Sequence, residues 1–167
     1  MTRFRIAIAL TVAGLTLSGC GLRPLYAGGN SGPVASALSG VEIAPIEGKA
    51  GWLVRTALED RLPRGGTPKY KLQIKLDDDI QGFGVRRDDT ITRERRTLRA
   101  RYQLIDSATG TQVLDATAGS DAGIDVVSSE YATIAAEDRA LENLAQTVAD
   151  QIVSRLATMA ASEGAAK

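Results

Sequence analysis

The sequence predicts an α+β two-layer sandwich: one four-stranded, mostly antiparallel sheet with two helices packed on one face. Three observations predict it. Three consecutive runs alternate apolar and polar residues with period two, and local turns join them. Two other segments carry apolar stripes at steps of three and four residues. A single sheet covered on one side by both helices buries every stripe.

The elements follow in order. Val41 to Ile46 sets Val41, Ile43 and Pro45 on one side and forms a short first strand. Pro45 lacks an N–H and suits an edge or a strand end. Gly51 to Leu62 is the first helix, with Val54, Leu58 and Leu62 every fourth residue and Pro63 and Gly65-Gly66 as its stop. Trp52 at its start reads as half-buried packing. Lys69 to Leu76 is the clearest strand. Tyr70, Leu72, Ile74 and Leu76 face one way, and Lys69, Lys71, Gln73 and Lys75 the other. Asp77 to Asp79 interrupt the pattern, which resumes through Ile80 and Phe83. Arg86 to Asp89 is the hairpin tip.

Thr92 to Ile105 alternates again, with Leu98, Ala100, Tyr102 and Leu104 on the core face. Asp106 to Gly110 is a turn in which Gly110 takes a positive φ. Gln112 to Ala118 follows and extends toward Val127. A long second helix starts at Ser128, Ser129 or Thr133. Its stripe is Leu141, Leu144 or Ala145, Val148, Ile152, Leu156 and Met159. Because a helix separates the first two strands, the first can pair parallel to a neighbour.

The chain begins differently. Arg3 and Arg5 precede an apolar run from Ile6 to Leu17, too short for the ~20 residues that cross a bilayer core. It fits the core of a signal peptide. Leu17-Ser18-Gly19-Cys20 looks like a bacterial lipobox, with small residues before the cut and a sulfur to carry a diacylglycerol thioether. Cys20 is the only cysteine, and acylation removes the liability of a lone thiol in an oxidising compartment. The alternative is an ordinary secretory signal with a chance cysteine. Gly21 after Cys20, rather than Asp, favours the outer membrane by resemblance to enterobacterial sorting. The expected organisation is a lipoprotein signal peptide over 1–19, a lipidated N-terminus and tether over 20–40, an α+β domain over 41–160 and a flexible tail over 161–167.

All twenty acidic side chains and eighteen of the twenty basic ones lie after Gly19. That balance argues against general nucleic-acid binding. The chain has no histidine and only Cys20, so after lipidation disulfides, thiolate catalysis and imidazole metal sites are unavailable. Acid pairs such as Asp88-Asp89 and Glu137-Asp138 have no visible partner to hold them dry and shift their pKa. No enzyme, metal or cofactor is therefore expected, beyond the covalent diacylglycerol and N-acyl group on Cys20.

The residues that carry chemistry are cations on the wet face of the strands. Lys71 and Lys75 share a face, as do Arg93, Arg95, Arg99 and Arg101. With both apolar faces on one core, all six project from the open side, where forked guanidinium and mobile ammonium groups suit phosphates. Arg86 and Arg87, beside Phe83 at the hairpin tip, are further candidates. Glu94 and Arg96 fall in inward register and are expected beyond the core. The basic face has two readings from the residues alone: contact with a negatively charged partner, or a plain solvated surface.

The stretch Ser18-Gly19-Cys20-Gly21-Leu22-Arg23-Pro24-Leu25-Tyr26, the strand end Arg99-Ala100-Arg101-Tyr102-Gln103-Leu104, the turn Asp106-Ser107-Ala108-Thr109-Gly110 and the helix start Ser129-Glu130-Tyr131-Ala132 resemble the lipopolysaccharide-assembly lipoprotein family LptE in its alphaproteobacterial form. The resemblance covers essentially the whole mature chain. It implies an outer-membrane, lipid-anchored protein, facing the periplasm or set inside the lumen of the LptD β-barrel. Its role would be to plug and help assemble that barrel and to assist lipopolysaccharide insertion, and the basic face with Arg86 and Arg87 would then contact the barrel or the lipopolysaccharide. It brings no catalytic motif. The competing expectation is a periplasm-facing accessory lipoprotein of another envelope transport complex.

Overall fold

In the computed structural model, residues 32–85 and 91–165 are described. The order is α1 (Pro33–Ser39), β1 (Val41–Ile43), α2 (Gly48–Arg61), β2 (Tyr70–Val85), β3 (Ile91–Asp106), β4 (Gln112–Asp125) and α3 (Glu130–Ala165). The four strands form one sheet in sequence order. β1 runs parallel to β2, and β2, β3 and β4 form an antiparallel meander. The sheet is thus mixed, through the parallel first strand that the intervening α2 permits.

The alternation read in the strands is the burial observed. Leu72, Leu98, Ala100, Tyr102 and Leu104 lie under the helices, while Lys71, Arg99 and Arg101 are exposed. The helical stripe of α3 completes the core through Leu141, Leu144, Val148, Ile152 and Leu156, and α2 adds Val54, Ala57 and Leu58. α2 and α3 run in the same direction. Lys49 meets Asp138 at 2.6 Å near one end, and Arg61 reaches Asp150 and Gln146 at the other. The β3–β4 turn closes as its residues dictate. The Ala108 and Thr109 N–H groups donate to the Asp106 carboxylate at 2.9 and 3.0 Å, and Gly110 sits at φ 69°.

Several expectations are corrected. The second half of the segment read as a tether, 20–40, folds as α1. Pro33 stands at its first turn, and Val34 and Leu38, one turn apart, pack into the core. Residues 20–31, with Cys20, lie outside the described residues. β2 does not stop at Leu76 but runs through the three aspartates to Val85. The tail expected from 161 onward is helical to Ala165. Trp52 is 64% exposed rather than half-buried.

Candidate functional site

The open face of the sheet is set by cross-strand register. On β2 it carries Lys71, Lys75, Asp77 and Asp79; on β3, Arg93, Arg95, Arg99 and Arg101; on β4, Asp115, Asp121 and Asp125. Glu42 of β1 pairs with Lys71 and joins the same face. The six cations singled out from sequence therefore share one surface. Arg86 and Arg87 lie outside the described residues.

This surface is charge-balanced and banded, not uniformly cationic. Six acidic groups stand among the six basic ones. Three of the four β3 arginines are engaged by β4. Arg93 meets Asp125 at 3.2 Å, Arg95 meets Asp121 at 3.8 Å, and Arg101 meets Asp115 at 3.0 Å. The Arg101 contact uses both Nε and Nη2, and Gln103 adds a bond to the same carboxylate at 3.1 Å. These bonds, Arg101 first, hold the Asp115 carboxyl below the ordinary aspartate value; the same bond raises the Arg101 pKa. The Arg95 guanidinium lies 5.3 Å from the centre of the Phe83 ring. The β4 acids were the missed signal: Asp115, Asp121 and Asp125 fall on the same odd register as Thr117 and Gly119.

Lys71, Lys75 and Arg99 make no ion pair among the described residues. Arg99 stands opposite Asp77 and diagonal to Lys75. Its other neighbour is Gly119, where an added Cβ would lie 3.4 Å from Arg99 Cγ. The absent side chain lets the arginine stem lie against β4. Lys75, Arg99, Arg101, Thr117 and Gly119 line a shallow groove there.

The covered face holds a second polar cluster. Arg96, expected beyond the core, is drawn under α3, its side chain only 11% exposed. It donates to both oxygens of Asp78, at 2.8 and 2.6 Å, and to the Glu137 carbonyl at 3.0 Å. Glu94 Oε2 is buried with no hydrogen-bond donor. Burial first, then the charge of Glu137, pushes the Glu94 carboxyl up. Among the described residues there is no group of three or more metal-ligating side chains, and no helix long and apolar enough to cross a membrane.

Solved lipoproteins share this architecture. The chain is similar to a putative lipoprotein from Caulobacter crescentus CB15, at 30% identity and a TM-score of 0.65, covering 79% of this chain and 98% of that one. It also resembles the rare lipoprotein B from Shewanella oneidensis in fold, at 8% identity and a TM-score of 0.59, covering 74% and 98%. A minor lipoprotein from Acinetobacter baumannii aligns at 12% identity and a TM-score of 0.56, covering 72% and 92%. No curated protein matches the chain. The family model for lipopolysaccharide assembly, LptE, matches residues 38–156. That match spans well over half the sequence, and the chain belongs to the LptE lipopolysaccharide-assembly family of envelope lipoproteins.

Proposed function

We propose that this chain is a non-enzymatic outer-membrane lipoprotein, lipidated at Cys20, that plugs and helps assemble an LptD-type β-barrel and assists lipopolysaccharide insertion into the outer leaflet. The observation that carries the proposal is family membership over residues 38–156. The Leu17-Ser18-Gly19-Cys20 sequence supports the anchor: a diacylglycerol thioether together with an N-acyl chain holds stably where one chain would not.

The open face divides the work. A banded, net-neutral surface complements a mixed-charge protein wall, and bands in register resist wrong partners. Most of the face is therefore assigned to the barrel. The unpaired cations are assigned to the phosphates of lipopolysaccharide: Arg99 as a planar fork, Lys75 as a mobile point charge beside it, and Lys71 further along the strand. No bond is made or broken in this role. The protein supplies shape and charge only.

The test is to solubilise outer membranes in mild detergent and purify the chain through a tag. Co-purification of a very large β-barrel protein is expected. Recovery of the chain with an inner-membrane or periplasmic transport complex, and no barrel, would overturn the reading.

A further inference from the structure

The two edges of the sheet are treated differently. On β4 the even-numbered residues bond to β3, as the Val126 N–H to the Thr92 carbonyl indicates at the strand's end, so odd residues turn their backbone outward. At Gly119 both outward groups are taken by one side chain. Gln151 of α3 accepts from the Gly119 N–H at 3.0 Å and donates to its carbonyl at 3.2 Å. A primary amide stands where another strand would pair.

Among the described residues, the outer edge of β2 has no such guard. The Tyr70 N–H donates to the Gly40 carbonyl and the Leu72 carbonyl accepts from Ala44, both at 2.9 Å on the β1 side. Even residues of β2 therefore face outward, and the register to β3 holds from Tyr70 to Phe83. β1 ends at Ile43, opposite Leu72. Beyond it, Ile74, Leu76, Asp78, Ile80 and Gly82 present N–H and C=O groups that no described strand pairs. Residues 77–84 are all exposed. Such an edge is a template for another strand.

Its side chains specify what would fit. On the open face, Asp77 and Asp79 make no ion pair among the described residues. On the other face, Leu76 is half-buried and Ile80 is 39% exposed. We propose that the outer edge of β2, from Ile74 to Gly82, takes an extended segment of a partner polypeptide as a fifth strand. That segment is basic at the residues beside Asp77 and Asp79 and apolar at those beside Leu76 and Ile80. Main-chain bonds supply affinity and the alternating side chains supply choice. A second copy is the poorer occupant. Symmetric pairing of the whole edge centres on Asp78 and sets Asp77 of each copy against Asp79 of the other. The inference stands apart from the proposed function, whose test reads the barrel and not this edge.

The experiment is amide hydrogen exchange by NMR on the mature chain, with a blocked peptide of alternating Lys and Val and its Glu–Val counterpart. Saturating Lys–Val peptide is expected to slow exchange at Leu76, Asp78 and Ile80 by about tenfold or more, leaving the Asp77 and Asp79 amides, already in the β3 ladder, unchanged. Ile80→Pro removes one outward N–H without touching that ladder and should abolish the effect. Should that variant fail to fold, D77N/D79N, checked by circular dichroism, should weaken Lys–Val binding. Absence of protection, or equal protection by both peptides, would overturn the proposal. Protection that grows with protein concentration alone would also overturn it, assigning the edge to a second copy.

Discussion

Arg96 and Asp78 face each other across β3 and β2 through two parallel hydrogen bonds, Nε to Oδ1 at 2.8 Å and Nη2 to Oδ2 at 2.6 Å. The third Arg96 contact, to the Glu137 carbonyl, ties both strands to α3. This is the one ion pair in the described chain with both side chains less than a quarter exposed.

Removing Asp78 strands the Arg96 charge beneath α3, and removing Arg96 leaves Asp78 and the Glu137 carbonyl without their shared donor. Asp78→Ala and Arg96→Met are each expected to cost about 2–4 kcal/mol, and the double variant less than their sum. Urea denaturation of the four proteins measures the coupling. Strict additivity would show that the pair does not act as a unit.

Glu94 predicts a pH dependence. Glu137 of α3 acts on it directly, and Arg96, two residues along β3, shares its face of the sheet. Its folded pKa lies above the ordinary value of 4.5, through burial and then Glu137. Between the two values the folded chain binds more protons than the unfolded one. The stability that Glu94 contributes is therefore present below this window and lost as pH rises through the folded pKa. Glu94→Gln should flatten that slope and be more stable than the parent at neutral pH. Urea midpoints from about pH 4 to about pH 8 check both.

Packing should discriminate between neighbours on one face. Leu98 is fully buried and Ile80 is 39% exposed. Leu98→Ala is expected to cost about 2–5 kcal/mol and Ile80→Ala about 1 kcal/mol or less. Thermal or urea unfolding reads the contrast.

Two arginines one step apart should behave differently toward lipopolysaccharide. Arg99→Glu is expected to reduce capture on immobilised lipopolysaccharide about fivefold, roughly 1 kcal/mol. Arg101→Glu should reduce it less, because Asp115 already engages Arg101. Asp115→Asn should increase capture by releasing that guanidinium. Equal capture by a folded Arg99→Glu variant removes Arg99 from the site.

Much of this architecture was legible because the sheet is wet on one side. Tyr70, Leu72, Leu98, Tyr102 and Leu104 write the core into a two-residue period, and α3 writes it into steps of three and four. Legibility ended where burial did. Past Leu76 the covered face holds Asp78, and a charge in core register looks like the end of a strand. Its partner Arg96 is eighteen residues away and reaches it only after the hairpin closes. α1 was hidden because Val34 and Leu38 stand in a stretch rich in Gly and Ser. The basic strand is legible as a run, but its acidic counterpart is not. Asp115, Asp121 and Asp125 are spread along β4 and gather opposite the arginines only through register.

The place of α1 has a mechanical consequence. Ala37 and Leu38 sit beside Leu156, Met159 and Ala160, at the closing turns of α3. The start of the folded body and the far terminus of its longest helix therefore occupy one pole. With lipid on Cys20, as proposed, the covalent chain bounds the distance from the anchored residue to Gly32 at about 43 Å. α3, at 36 residues, is about 54 Å long and reaches away from that pole. Pivoted there and stood upright, the molecule overtops the ~30 Å oily interior of a bilayer.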